Sequence, residues 1–181
     1  MPDEIAHGVA TYQQRLQTEI RGIGKVVAYL LSIEATNDVT HASDEQQKLH
    51  DVDLVWSYVV QGKEVVKTVE VKVDTKCHST GNFVFEYVSN IITGSRGCFA
   101  RTSADLMHYL ALETGDLYIL EVAKVRTWFE REVSRFPKRF RYDTSITQLE
   151  PGKSYQTLFY LVPIETVRKE VGLYQRRVPS L

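Results

Sequence analysis

Apolar positions near the start of the chain recur three or four residues apart. They are Leu16, Ile20, Ile23, Val27 and Leu30. This spacing places them on one face of a helix and predicts a helix from Tyr12 to about Ile33. Gly22 and Gly24 each weaken such a helix by about 1 kcal/mol relative to alanine. Glycines tolerated inside a helix are typical of close packing on a sheet.

The apolar period changes from helical spacing to alternation between His50 and Val73. His50–Trp56 and Val65–Val73 are predicted strands, and Gln61-Gly62-Lys63 predicts a hairpin turn between them. The second strand alternates strictly, so its valines share one face while Glu70 and Lys72 share the other. Alternation along the first strand places His50 on the core side, and Asp51 with Asp53 on the opposite side.

The rest of the chain predicts further strands and helices. The predicted strands are Gly81–Asn90, Leu117–Val122 and Leu158–Val162; the predicted helices run from Thr102 or Ser103 to about Gly115 and from Ile164 to Val171. Both faces of 81–90 are mostly apolar, which favours a central strand covered on both sides. The polar segment 37–47 is predicted to be a loop, and Arg176-Arg177 a loose tail. We therefore expect an α/β fold with a mixed central sheet flanked by helices.

The composition limits the class of protein but does not indicate a function. The chain has 181 residues, 43% of them hydrophobic and 25% charged, which suits one globular domain. The 22 basic residues nearly balance the 23 acidic ones, so net charge gives no support for nucleic-acid binding. Cys77 and Cys98 are too few for a disulfide scaffold. Without a signal peptide or a membrane-length apolar run, the sequence predicts a cytoplasmic, intracellular protein.

Acidic residues interrupt two of the predicted apolar strands. The hairpin would bring Asp53 and Glu70 alongside each other, where two carboxylates repel unless a cation or a proton lies between them. With Lys72 beside them, the set offers two oxygen ligands for Mg²⁺ and a positive group for a phosphate or a water. Glu86 is a third acid in an apolar run; it either contacts this site or hydrogen-bonds a core group.

These residues resemble the signature of a nuclease superfamily. Asp53, then sixteen residues, then Glu70-Val71-Lys72 is similar to the Asp…Glu-x-Lys motif of PD-(D/E)xK nucleases, which include restriction endonucleases, Holliday-junction resolvases and many phage nucleases. The order helix, three strands, helix, strand over about 12–130 is similar to the superfamily's core and to uncharacterised phage and prophage members. Val52 stands where many members have proline. The resemblance implies a single restriction-endonuclease-like domain over 1–181, with about 131–181 as a C-terminal extension.

The resemblance implies an activity and a set of roles. We expect Mg²⁺- or Mn²⁺-dependent hydrolysis of phosphodiester bonds in DNA by an endonuclease of phage or mobile-element type. Asp53, Glu70 and the backbone carbonyl of Val71 would hold the metal, while Lys72 would act on the attacking water or stabilise the phosphate. An acid from the first helix often joins such sites; Glu19 is the preferred candidate, and a solvated edge glutamate is the alternative. Asp51 and Glu86 are candidates to orient the metal ligands without binding the metal themselves.

Basic residues concentrate in one late segment. Between Lys124 and Arg141 seven basic residues face two acidic ones, an excess of seven minus two, or five, with aromatic residues between them. Such a stretch is typical of binding to a phosphate backbone. The alternative is an amphipathic helix with its aromatics in the core and its cations in solvent. The expected DNA contacts are Arg96, Arg101, Arg135, Lys138 and Arg139. Duplex cleavage needs two active sites, which favours a homodimer.

Two other functions remain open from the sequence. The first is a nucleic-acid-binding module that keeps the fold without catalysis. The second is a structural or interaction protein in which Glu70 and Lys72 form a surface ion pair of little energetic value. The nuclease prediction requires Asp53 and Glu70 to lie on neighbouring strands.

Overall fold

A computed structural model describes residues 12–143 and 155–179. Its helices are α1 (Tyr12–Leu31), α2 (Asp44–His50), α3 (Cys77–Thr80), α4 (Cys98–Arg101), α5 (Val122–Glu132) and α6 (Ile164–Glu170), with a 3-10 turn at Val133–Arg135. Its strands are β1 (Thr36–His41), β2 (Leu54–Val60), β3 (Lys63–Asp74), β4 (Asn82–Asn90), β5 (Ser95–Arg96), β6 (Leu106–Ala111), β7 (Asp116–Glu121), β8 (Lys138–Asp143), β9 (Tyr155–Pro163) and β10 (Tyr174–Arg177).

The strands form two sheets. The larger has the order β1-β2-β3-β6-β7-β10, in which β3 and β6 are parallel and every other pair is antiparallel. The smaller is antiparallel, with the order β5-β4-β9-β8. The predicted α/β class with a mixed sheet is therefore confirmed, and the second sheet is an addition to it. No helix in the described part of the chain is long and apolar enough to cross a membrane.

The hairpin between β2 and β3 is confirmed. Gln61 and Gly62 have φ of 51° and 74°, and positive φ at both positions is what a two-residue hairpin turn of type I′ requires. The turn fixes a register in which Leu54 is opposite Val69. The start of β2 therefore lies beside the second half of β3.

Helix α1 covers one face of the larger sheet. Val26 and Leu30 are fully buried against the face that carries Val69 and Val71. Gly22 lies so close to Val73 that a Cβ on it would overlap the valine side chain. The prediction of this helix is confirmed, but its apolar stripe is wrong at the N-terminal end. Leu16 and Ile20 are exposed because the close helix–sheet contact begins only at Gly22.

The opposite face of the larger sheet packs on the smaller sheet through an aromatic core. Phe83 and Phe85 of β4 are fully buried there, together with Phe129 of α5. Tyr109 of β6 ties the two sheets together, since its hydroxyl donates to Asp74 and accepts from the backbone amide of Val84 at 3.0 Å. Residues after 130 are integral to this arrangement: β9 pairs with β4, and β10 pairs with β7.

Two predicted elements lie elsewhere than expected. The helix predicted from Thr102 to Gly115 is wrong, because Leu106–Ala111 forms strand β6 between β3 and β7. Gly115, with φ of 75°, belongs to the turn between β6 and β7 and ends no helix. The strand predicted at 81–90 exists as β4, but it belongs to the smaller sheet. It is covered on both sides there, so its apolar pattern suited either sheet.

Several boundaries also need correction. The predicted loop at 37–47 contains β1 and α2, which are polar because β1 is an exposed edge strand and every side chain of α2 stays at least partly exposed. Strand β2 begins at Leu54 rather than His50, since α2 continues to His50. Asp51 is the left-handed residue that ends α2, with φ of 45°, so it shares no strand face with Asp53. Arg176 and Arg177 lie in β10 rather than in a loose tail.

Candidate functional site

Asp53 is fixed at the point where β2 begins. Its backbone amide donates to the carbonyl of Val69 at 2.9 Å. Its Oδ2 atom accepts from the amide of Val71 at 2.7 Å, so the side chain replaces a missing strand neighbour of β3. In an extended strand the N–H and C=O of one residue point to the same edge. The Val71 carbonyl is therefore directed toward the side on which Asp53 lies.

Glu70 lies next to Asp53 and is only 8% exposed. The two carboxyl groups are within hydrogen-bonding reach of each other. Burial, followed by the charges of Asp53 and Asp51, raises the pKa of Glu70 to about 9. Burial also raises the pKa of Asp53. At neutral pH the protein alone therefore holds a proton between these carboxyl groups, which is the behaviour of two acids sharing one site.

Lys72 shares the Glu70 face of β3 and extends into the space between the sheets. Its pKa is raised because the Cys98 sulfur, and after it the carboxylates of Glu86 and Glu70, outweigh the effect of burial. Burial raises the pKa of Cys98 itself to about 11, so this thiol is neutral at pH 7. Among the carboxylates that raise the pKa of Lys72, that of Glu86 has the largest effect.

A glycine brings Glu86 and the Cys98 helix together. Gly97 precedes α4, and a Cβ on it would lie 2.5 Å from the Glu86 carbonyl oxygen. Its amide donates to the carbonyl of Tyr87 at 2.9 Å. Only glycine fits this contact, so α4 lies directly against β4. Groups from both sheets therefore act on the charge of the Lys72 amine.

Two more carboxylates surround the pair. The charge of Glu19, an exposed residue of α1, adds to the raised pKa of both Asp53 and Glu70. Asp51 acts on both in the same way, but its carboxylate is engaged by the guanidinium of Arg101 in a bidentate pair. Asp51 thus contributes negative potential, while its oxygens are already bonded.

The donor set suits a hard divalent cation. In residues 12–143 and 155–179, no three histidine, cysteine, aspartate or glutamate side chains form a metal-binding group by themselves. Mg²⁺ is commonly held by only one or two carboxylates with waters completing its shell. Asp53, Glu70 and the Val71 carbonyl offer that kind of oxygen set, and the charges of neighbouring acids add to the burial that raises the pKa of both carboxyl groups. The residues therefore fit Mg²⁺ or Mn²⁺.

Two of the predicted DNA contacts are paired with acidic side chains. Arg101 pairs with Asp51, and Arg135 pairs with Glu132 and, at 2.8 Å, with Glu170. Arg96 is exposed on β5. Trp128, Phe129 and Phe136 of the basic segment 124–141 are buried. For these rings the alternative prediction, aromatics in the core and cations in solvent, is the correct one. Lys138 lies over the exposed ring of Phe140.

Two arginines of β8 share a face of the smaller sheet with Glu86. Arg139 is opposite Phe159, which is in turn opposite Glu86, so the three side chains share one face of the smaller sheet. Arg141 lies two residues on, on the same face, and its charge acts on Lys72. Arg141 was absent from the predicted contacts, although the period of two shared with Arg139 could have identified it. No sequence signal marks Gly97 or Cys98.

No protein-family model, curated protein or solved structure matches the chain.

Proposed function

We propose that the protein is a divalent-metal-dependent nuclease that hydrolyses phosphodiester bonds in DNA. The observation that carries this proposal is the contact between the Asp53 and Glu70 carboxyl groups where β2 begins beside β3, with the ammonium of Lys72 on the Glu70 face. Burying Glu70 beside a second acid costs folding free energy. Two uncharged side chains at these positions would serve a purely structural role better, because they would avoid this cost.

Each residue of the site has a defined task in this proposal. Asp53, Glu70 and the Val71 carbonyl would hold the metal, which when bound supplies water activation and neutralises charge on the phosphate. Glu19 adds a fourth oxygen group from α1. Because the pKa of Lys72 is raised, this side chain donates hydrogen bonds at neutral pH and does not act as a base. Lys72 therefore orients the attacking water or stabilises a phosphate oxygen, and Glu86 positions Lys72.

The finer fold proposal, a restriction-endonuclease-like core, rests on element order. Helix α1 is followed by strands β1, β2 and β3, with α2 between β1 and β2, then by a crossover that contains α3, β4, β5 and α4, and then by β6 parallel to β3. The helix, the three strands and the parallel strand after the crossover support the proposal, while α2, β4 and β5 are additions to the expected order. The third strand is β3 rather than the predicted strand 81–90. The helices of the crossover are α3 and α4 rather than the predicted helix 102–115.

The decisive test is cleavage by variants that leave the fold intact. Asp53→Ala and Lys72→Ala should each lower cleavage by at least about 100-fold, because they remove a metal ligand and the donor to water or phosphate. Asp44→Ala and Lys48→Ala, which alter an exposed ion pair on α2, are the matched controls and should cleave normally. The assay uses supercoiled, linear, branched and single-stranded DNA, and RNA, with Mg²⁺ or Mn²⁺.

The same proteins separate the nuclease from its alternatives. Mn²⁺ should raise the melting temperature of the wild-type protein and of the controls but not of Asp53→Ala. Full cleavage by Lys72→Ala would contradict the proposal. Metal-insensitive DNA binding without cleavage by the wild-type protein would favour the inactive binding module, and absence of both would favour a structural protein.

A further inference from the structure

A second concave surface lies on the far side of the larger sheet. Helix α1 covers this face incompletely, and beside its C-terminal half an open groove of about 910 Å³ remains. Trp56 and Lys67, which line the groove, are opposite each other on β2 and β3. Lys67 shares its strand face with Val69 and therefore lies on the opposite face from Glu70. The groove is thus separate from the candidate active site.

Two stacked aromatic rings form part of the floor. Trp56 and Tyr58 are two residues apart on β2, and their ring centroids are 4.2 Å apart with an interplanar angle of 24°. The indole is fixed, since its Nε1 donates to the Thr36 hydroxyl at 2.9 Å, and that hydroxyl donates to the carbonyl of Leu30 at 2.7 Å. Both rings remain partly exposed. The pair is therefore a preformed platform for a planar ring.

Tyr174 adds a third aromatic ring to the groove. It is 61% exposed, lies on the edge strand β10 and is opposite Ile119 of β7. An exposed tyrosine at the end of a groove already floored by two aromatic rings increases the surface for stacking. The volume of the groove also lies within the range of small-molecule sites, which is about 300–1,000 Å³.

Cations dominate the free charges of the groove. Its charged lining residues are Lys67, Lys124, Arg176, Asp105 and Glu121. Asp105 is already satisfied, because it accepts from the amide and the hydroxyl of Thr68 and pairs with Lys67 at 3.6 Å. Of the acids that line the groove, Glu121 is then left to balance both Lys124 and Arg176. A ligand with an aromatic ring and a negative group complements this surface, and a neutral apolar one does not.

We propose that this groove binds a nucleotide unit, with the base stacked on Trp56 and Tyr58 and the phosphate held by Lys124 and Arg176. Base–aromatic stacking beside cations is how proteins bind single strands without reading their sequence. The unit is either a free nucleotide or part of a single-stranded nucleic acid, and both present the same ring and phosphate. The proposal does not depend on the nuclease activity, because the two sites lie on opposite faces of the sheet.

Tryptophan fluorescence gives a direct test in the full-length protein. The chain has two tryptophans, and Trp128 is 5% exposed, so Trp56 is the one that responds to a ligand in the groove. With EDTA present to prevent hydrolysis, the probes are thymidine monophosphate and a ten-residue oligothymidylate. We expect quenching by at least one of them. Much tighter binding of the oligonucleotide assigns the site to a strand, and equal binding per site assigns it to a free nucleotide.

Substitution of the cations tests the phosphate contact. The double variant Lys124→Ala, Arg176→Ala should bind at least tenfold more weakly. The double variant Lys48→Ala, Arg131→Ala removes the same charge from exposed positions outside the groove and should bind within twofold of wild type. Trp56→Phe should retain binding measured by anisotropy of a labelled oligonucleotide, and Trp56→Leu should lose it.

Three results would overturn the proposal. The first is no quenching by either probe at millimolar concentration. The second is wild-type affinity in the variant without Lys124 and Arg176, whose exposed side chains can be removed without unfolding the protein. The third is a Trp56 that acrylamide cannot quench in the Trp128→Phe protein, since the groove would then be filled by another segment of the chain.

Discussion

Glu70 couples the stability of the fold to pH. Its pKa is about 9 in the folded protein, against an ordinary value of 4.5, so between these values the folded state holds a proton that the unfolded chain has lost. The stabilisation is complete below pH 4.5 and is lost as the pH rises to 9. Each such proton changes the unfolding free energy by about 1.4 kcal/mol per pH unit.

His108 has the opposite effect on how the stability of the fold changes with pH. This side chain is fully buried, neither ring nitrogen has a hydrogen-bond partner within the described residues, and burial lowers its pKa to about 3. The unfolded chain binds a proton there below about pH 6.5, so stability falls as the pH drops further. The two effects oppose each other between pH 4.5 and 6.5, and above that range His108 no longer opposes the effect of Glu70.

We therefore predict that stability decreases from pH 6.5 to 9, and that Glu70→Gln removes most of this decrease. Glutamine has no acidic proton to lose, so the variant should also be the more stable protein at pH 8. Urea unfolding at half-unit pH steps measures both effects, with His108→Leu as a comparison that changes only the acid side. Equal slopes for wild type and Glu70→Gln above pH 6.5 would show that Glu70 is ionised in the fold.

The residues that were predictable are those joined by local structure. Asp53, Glu70 and Lys72 meet through a single two-residue hairpin, so alternation and turn chemistry were enough to bring them together. The charge of Glu86 acts on Lys72 only because two separate sheets pack on each other. That proximity depends on the whole fold, and no local sequence pattern indicates it.

Two glycines of α1 make a matched pair at the level of the element. Gly24 is exposed, and a Cβ added there would have no described atom within 4 Å, while a Cβ at Gly22 would overlap Val73. Gly24→Ala should raise the unfolding free energy by about 1 kcal/mol through helix propensity. Gly22→Ala should lower it by about 1–3 kcal/mol through overpacking. Thermal or urea unfolding measures the difference.

The overlap can be assigned to one contact. Combining Gly22→Ala with Val73→Ala removes the obstructing methyl groups, so the double variant should lose less stability than the sum of the two single variants. Strict additivity would mean that α1 shifts away from β3 and that this contact does not set the packing of the helix.

Strand β6 shows where element prediction failed. Leu106–Ala111 is apolar without a clear period because, as an interior strand, it is covered on both faces. A short run of this kind looks the same in a buried helix and a buried strand. The capping residues before it and Gly115 after it favoured a helix. Their actual roles are to end α4 and to turn the chain between β6 and β7.

At the scale of the molecule, the basic strand β8 is linked to the site by Arg141, whose charge acts on Lys72. Arg139 and Arg141 share the Glu86 face, whereas Arg135 is occupied by Glu132 and Glu170. We predict that Arg139→Ala with Arg141→Ala weakens DNA binding. The log–log salt slope should flatten by about 0.9 for each phosphate of B-DNA that the variant can no longer neutralise. Binding is measured by anisotropy in EDTA at several salt concentrations.

Arg131→Ala with Arg168→Ala is the control, because it removes the same charge from side chains paired with Glu132 and Glu165. Its slope should match that of wild type, and so should that of Arg135→Ala. If the two double variants change the slope equally, total charge rather than the β8 arginines governs the encounter with DNA.

The partnership of β4 with β9 has a consequence for how the protein comes into being. β4, which carries Glu86, has β5 and β9 as its neighbours, and β9 begins only at Tyr155 of a chain of 181 residues. During synthesis the hairpin with Asp53, Glu70 and Lys72 leaves the ribosome long before β9 does. The unfinished chain therefore has its reactive side chains but lacks the strand that completes the sheet behind the lysine. On the proposed function, β9 must therefore be made and paired with β4 before the surroundings of Lys72 are complete.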